Sequence, residues 1–225
     1  MKSFSAGDLA VIIGGNGGLG AALAIALAPA MTVLPLGRPE LDLTDETSIA
    51  QAAAGLPAPP RLIIIATGFL HDNGFMPEKT FASLSPEHLA HAFAINAIGP
   101  ALVLKHFLPL LPRQGRGIIA AISAKVGSIG DNHAGGWYSY RAAKAALNQL
   151  IHTAAIELRH KRPDAICAAI HPGTVDTKLS APFAKTGLNV RPPATAAAEI
   201  LAVLDNLTPA QSGGFFDYKG DTLPW

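Results

Sequence analysis

Cysteine, aromatic side chains and charge are all scarce in this chain. One cysteine, Cys167, excludes an intrachain disulfide. Its apolar setting, Ala165-Ile166-Cys167-Ala168-Ala169-Ile170, fits a small core residue better than a nucleophile. Aromatics make up 6% and charged residues 15% of 225 positions, against 49% hydrophobic, which excludes disorder and allows a sizeable core. A net charge of +1 without a basic run argues against nucleic acid as a partner. Eight histidines raise the question of a metal. His88 and His91 stand three apart in a helical stretch, but no carboxylate or cysteine cluster joins them, so no metal site is expected. His171, just before Pro172, reads as a structural loop residue.

The stretch from Leu9 to Ala30 is apolar, with Lys2 before it and Ala28-Pro29-Ala30 at its end, as in a signal peptide. Gly14-Gly15-Asn16-Gly17-Gly18 breaks that run, making a poor membrane segment and a good strand-to-helix turn. A cytoplasmic protein with no membrane association is expected.

Strand-length apolar runs alternate with longer helical stretches, the pattern of a parallel sheet covered on both faces. Strands are expected at 9–14, 31–36, 62–66, 117–122, 165–170 and 214–216. Helices are expected at 18–28, 45–54, 86–111, 137–160 and 194–205. Thr44 reads as the N-cap of the second helix, and Ser85 followed by Pro86 as that of the third. No repeat or linker divides the chain, so positions 1–225 form one doubly wound α/β domain of Rossmann type.

Three patterns carry chemistry. Tyr140 and Lys144 lie four apart on a helix, hence on one face. A phenol beside an ammonium should have its pKa lowered from ~10 towards working pH, as suits an acid that protonates a carbonyl oxygen receiving hydride. Tyr138 is the internal control, since Ala142 stands four residues on. Next, the first strand runs into Gly14-x-x-x-Gly18-x-Gly20 and a helix, a turn that lets backbone approach a pyrophosphate held at the helix N-terminus. Finally, the second strand leads into Gly37-Arg38, where a dinucleotide's adenosine ribose would pass. An acidic residue there would suit the 2′-hydroxyl of NAD, and an arginine the 2′-phosphate of NADP, so Arg38 tilts the reading towards NADP(H). Asp42 is placed to accept from an adenine amine or to start a helix.

Together these parts resemble the short-chain dehydrogenase/reductase family over essentially the whole chain. Gly14, Gly18 and Gly20 match its glycine pattern, Tyr140 and Lys144 its Tyr-x-x-x-Lys pair, and Asn96 its helix asparagine. Pro172-Gly173, followed by Thr174-Val175-Asp176-Thr177, matches its turn after the sixth strand. Within the family, Gly68-Phe69-Leu70-His71-Asp72, Pro77-Glu78-Lys79, Gly127-Ser128-Ile129-Gly130-Asp131-Asn132 and Gly135-Gly136-Trp137 resemble the C-factor and sniffer-like carbonyl reductase branch. The resemblance implies an NADP(H)-dependent oxidoreductase acting on a small hydrophobic ketone or aldehyde, or on the alcohol in reverse. Tyr140 would be the acid, Lys144 its modulator and hydrogen-bond partner to the nicotinamide ribose, and Asn96 the holder of a relay water. Cofactor contacts would come from Gly14, Asn16, Gly17, Gly18, Leu19, Gly20, Arg38, Asp42, Leu43, Ala66, Thr67, Gly68, Asn96, Tyr140, Lys144, Pro172, Gly173, Val175 and Thr177.

Three departures qualify this. Ser123-Ala124 places alanine where the family has its usual serine, leaving Ser123 or Ser128 to polarise the carbonyl, or Tyr140 alone. Thr67 stands where an asparagine is usual. Only Gly37 to Leu41 separates the second strand from Asp42, so an edge βα unit is expected to be missing. Trp137, Tyr138 and a lid at 177–189, within a substrate loop near 177–192, should shape the pocket. Positions 86–111 and 137–160 carry apolar residues on more than one side, and the resemblance implies that they build a two-fold interface in a homodimer or homotetramer. The alternative is a cofactor-binding signalling or regulatory protein of C-factor type with little turnover.

Overall fold

The computed structural model describes residues 1, 3–183 and 189–225. Six parallel strands form one sheet: β1 (Leu9–Ile13), β2 (Thr32–Leu36), β3 (Pro60–Ile65), β4 (Gly117–Ile122), β5 (Ala165–His171) and β8 (Phe215–Asp217), in the order β2-β1-β3-β4-β5-β8. The order reverses beside β1, so a crevice opens beyond the carboxyl ends of β1 and β3, the position where open α/β sheets bind ligands. The register is level there, with Ile13 opposite both Leu36 and Ile65. β2 is the sheet edge, and the chain passes from it to α2 without a further strand, as the short interval before Asp42 implied.

Helices cover both faces: α1 (Gly18–Leu27) and α6 (Pro193–Asn206) on one, α2 (Glu46–Ala54), α3 (Pro86–Phe93), α4 (Gly99–Phe107) and α5 (Tyr138–Lys161) on the other. β1, β3, β4 and β5 are apolar on both sides because each side meets helices, giving one buried cluster around Val11, Ile63 and Phe107 and another around Ile12, Ile64 and Ile200. The apolar stretch that could pass for a signal peptide forms an inner strand of the sheet, β1, and the helix α1 that follows it.

Three features differ from expectation. The helix expected across 86–111 is interrupted at Ala94–Ile98 by a wider π turn. Pro100 explains it: in a regular α-helix its ring would strike the carbonyl of Asn96 and it offers no N–H, and the π turn shifts the register by one residue. Asp45, not Thr44, caps α2, accepting from Thr47 N at 2.9 Å, because it directly precedes the first helical residue while the Thr44 hydroxyl is engaged with Asp42. A second parallel pair, β6 (Thr174–Val175) with β7 (Val190–Arg191), flanks the loop after β5 and was not expected. In the segment read as a lid, positions 184–188, Gly187 among them, lie outside the described residues, as does Lys2.

Candidate active site

Tyr140 and Lys144 occupy the first turns of α5, where α5 passes the carboxyl end of β4. Both are buried, Lys144 to 2% exposure. Lys144 Nζ donates to Ile122 O at 2.9 Å and lies 5.9 Å from the centre of the Tyr140 ring. Gly127 gives Lys144 room, since a Cβ there would stand 2.8 Å from Lys144 Cβ. Burial pushes the Tyr140 phenol above its ordinary value and the Lys144 ammonium down to about 7. The lowering expected of the phenol is therefore not found. Lost hydration outweighs an ammonium at this distance that is itself bound to a carbonyl.

Asn96 sits fully buried within the π turn. Its Nδ2 donates to Phe69 O at 2.7 Å and its Oδ1 accepts from Phe69 N at 3.0 Å. A Cβ on Gly68 would lie 3.6 Å from Asn96 Oδ1 and 3.8 Å from Lys144 Nζ, so Gly68, Asn96 and Lys144 converge. Ser123, next after β4, donates its hydroxyl to Asn148 Oδ1 at 2.6 Å, and Asn148 Nδ2 is buried without a partner among the described residues. Ser128 Oγ accepts from Asp131 N at 3.0 Å. Asn148 had no part in the sequence reading, although Tyr140, Lys144 and Asn148 recur every four residues along the buried side of α5.

Gly14 turns with φ +86°, and a Cβ on Gly20 would approach Gly14 O to 2.1 Å, so both positions need glycine. The loop after β6 crosses the start of α1, where a Cβ on Gly18 would touch Thr177 Cγ2 at 3.0 Å. Thr67 Oγ1, just after β3, is buried without a partner among the described residues, beside Gly14 and Ala66. Asn16 Nδ2 donates to Arg38 O at 3.4 Å, joining the glycine turn to the end of β2 and leaving the Arg38 side chain exposed. Asp42 Oδ1 accepts from Thr44 N and Thr44 Oγ1 at 2.8 and 2.7 Å, and Leu43 packs against Gly99. Arg191, which sequence reasoning passed over, binds Pro172 O, pairs with Glu199 and stacks on Tyr218 at 3.4 Å, fixing the Pro172-Gly173 turn; Val175, its partner across the β6–β7 pair, is buried. His171 Nδ1 is buried without a partner among the described residues, and burial takes the His171 pKa down to about 4. Leu19, in the first turn of α1, packs at the edge of the core, and Gly17 is exposed.

A family model described as enoyl-(acyl carrier protein) reductase matches residues 18–202. The C-signal protein of Myxococcus xanthus is 36% identical over 138 residues, 61% of this chain and 78% of that one. The 1-hydroxy-2-glutathionyl-2-methyl-3-butene dehydrogenase of Rhodococcus is 31% identical over 189 residues, 83% of this chain and 79% of its own. An NADPH-bound carbonyl reductase from chicken fatty liver superimposes with a TM-score of 0.82 at 23% identity, covering 99% of this chain and 96% of that one. With the parallel sheet and the glycine turn already described, these matches identify the chain as an NAD(P)-dependent oxidoreductase that belongs to the short-chain dehydrogenase/reductase family.

Proposed function

We propose that the chain transfers hydride between NADP(H) and a small hydrophobic ketone or aldehyde, or runs the reverse alcohol oxidation. The observation that carries this reading is the buried Tyr140–Lys144 pair at the carboxyl edge of the sheet. A dinucleotide fits the cleft. Among the described residues no side chain caps α1 and none pairs with the Thr67 hydroxyl beside Gly14, and Gly18 presents no Cβ under Thr177. Gly14, Asn16, Gly17, Gly18, Leu19 and Gly20 would hold the pyrophosphate side, and Arg38, Asp42 and Leu43 the adenosine. Ala66, Thr67, Gly68, Asn96, Tyr140, Lys144, Pro172, Gly173, Val175 and Thr177 would hold the nicotinamide half. Bound NADP(H) supplies the hydride and its electron pair.

Tyr140, whose burial keeps it protonated throughout the neutral range, gives its proton to the carbonyl oxygen. Lys144, with a pKa near 7, passes a proton on towards Tyr140 and holds the nicotinamide ribose. Asn96 Oδ1 keeps one lone pair after binding Phe69 N, enough for a relay water beside Lys144. A half-turn of the Asn148 amide would offer its unpartnered Nδ2 to Ser123 Oγ, freeing the Ser123 proton for the substrate oxygen. Ser128 is the alternative donor. Trp137 packs edge-on against Tyr140 at 6.2 Å and Phe183 at 5.1 Å, an aromatic wall suited to an apolar carbonyl.

Arg38 at the end of β2 and the NADPH in the chicken carbonyl reductase favour NADP(H) over NAD(H). We further assign the protein to the cytoplasm as a homodimer or homotetramer. Ile98 (53% exposed) and Leu150 (37%) face outward, and Ala101, Leu108, Leu150 and Ala154 line a cavity of about 460 Å³ between α4 and α5. Phe107, Ala143, Leu147 and Ile151 of the same helices turn into the core.

The second reading is a cofactor-binding signalling protein with little turnover, favoured by the likeness to C-signal and by Ala124. NADPH consumption against a panel of aldehydes, ketones and quinones, run beside a cofactor-binding titration, separates the two. Turnover supports the enzyme; tight binding with no turnover on any of them overturns it in favour of the signalling role.

A further inference from the structure

α5 lacks a cap of its own. A helix leaves its first N–H groups unpaired, and an N-cap side chain ordinarily takes one. Here the cap position holds Trp137, whose indole has no acceptor oxygen and whose backbone is left-handed at φ 54°. That conformation is costly for a bulky residue and persists only where its surroundings hold it.

What holds it is Glu78, in the loop between β3 and α3 and sixty residues away in sequence. Trp137 N donates to Glu78 O at 2.5 Å. Ser139 N donates to Glu78 Oε2 at 3.2 Å, and the Ser139 hydroxyl donates to Glu78 Oε1. His88 Nδ1 lies 3.1 Å from the same Oε1. Glu78, His88 and Ser139 are all buried. Burial opposes the carboxylate, but the Ser139 hydroxyl, backbone N–H groups and His88 outweigh it and hold its pKa below the usual value. The imidazole of His88 is clamped in turn, stacked on Phe75 at 4.9 Å and met edge-on by Phe69 at 6.1 Å. Phe69 is the residue whose main chain binds Asn96. A continuous set of contacts thus runs from Asn96 to the residue preceding Tyr140.

We infer that Glu78 is a positioning residue for Tyr140, a cap supplied from a distant loop that fixes the first turn of α5, with His88 orienting its carboxylate. The inference rests on Tyr140 being the proton donor. Ser139 and Tyr140 share a peptide unit, so a frayed first turn moves the phenol relative to the carbonyl it must protonate, while the glycine turn and strand ends that would bind cofactor stay in place.

The test uses the full chain and the NADPH-dependent reduction of the best carbonyl from the panel. Glu78→Gln keeps the shape but places an NH₂ against a donor; Ser139→Ala removes one contact and leaves the Glu78–His88 pair, serving where Glu78→Gln does not fold. The expected result is a fall in kcat of about tenfold, equal to about 1.4 kcal/mol, with KM and NADPH affinity within about twofold of wild type. Hydrogen exchange should quicken at the amides of residues 139–142 and stay unchanged from 148 to 158. In a Tyr140→Phe background the same substitution should cost nothing further. An unchanged kcat and unchanged first-turn exchange overturn the inference. So does an equal loss with and without Tyr140, which would mark a general structural role. If Tyr140→Phe itself retains activity, the proton-donor reading fails, and Glu78 is a cap with no catalytic consequence.

Discussion

The ammonium of Lys144 donates to the carbonyl oxygen of Ile122, the last residue of β4, and so ties the helix of the proposed acid to the end of a central strand. This bond anchors a charge that burial disfavours, and several expectations follow from its setting.

The acid comes first. Tyr140→Phe should cut turnover to a residual rate, readable only at high enzyme concentration, and leave NADPH binding largely intact, because only the phenolic proton is lost. Tyr138→Phe should be mild, since Tyr138 is half-buried and packs edge-on against Phe81 at 5.7 Å. Steady-state rates and a binding titration on both variants check this; equal activity would show that Tyr140 is not the donor.

Lys144 leaves a mark on stability. Its folded pKa, about 7, lies below its ordinary 10.5, so between these values the unfolded chain binds more protons and stability rises with pH. Below about pH 7 the full cost of burying the charge remains. Cys167 and Tyr140 are shifted upward and act in the opposite sense above about pH 9 and 10. The clean window is therefore pH 7 to 9. Denaturant midpoints should climb across it in the wild type and stay flat in Lys144→Met, which should be more stable at pH 7 and inactive. A matching slope in the variant would refute this.

Arg38 is expected to choose the cofactor. Arg38→Glu places like charge near a 2′-phosphate, and a charge-assisted contact contributes roughly 1.5–3 kcal/mol, so the NADPH preference should fall at least about tenfold. Comparison of NADPH and NADH dissociation constants decides it. Equal wild-type affinity for the two would remove the argument.

Ser123 and Asn148 should act together. Losing a positioned donor to the substrate oxygen costs roughly 10²–10³ in kcat. Ser123→Ala should show that loss, and so should Asn148→Asp, because a carboxylate can only accept and keeps the serine proton. Ser128→Ala should be close to wild type. The reverse pattern assigns the carbonyl contact to Ser128.

Assembly is the last expectation. Light scattering at micromolar concentration should give a dimer or tetramer, and Leu150→Lys should shift it towards one chain. A wild-type mass near the 23.2 kDa of a single chain rules this out.

Much of the architecture could be read from composition and spacing, because it depends on local regularities. Apolar runs of strand length predict a sheet buried on both faces, and Gly14, Gly18 and Gly20 predict the turn that joins β1 to α1. Four-residue spacing puts Tyr140, Lys144 and Asn148 on one side of α5 whatever surrounds it. Ionisation, hydrogen-bond partners and caps are decided by groups far apart in sequence. The Tyr140 phenol is shifted up, not down, because folding removes water from around it, a desolvation that helix spacing cannot encode. The Ser123 proton goes to a helix residue 25 positions on, and the cap of α5 comes from Glu78 rather than from any neighbour of Trp137. Even the π turn at Asn96 needs Pro100 to force it and Phe69 to hold it. Periodicity fixes which face a side chain takes; only the folded chain fixes what that face meets.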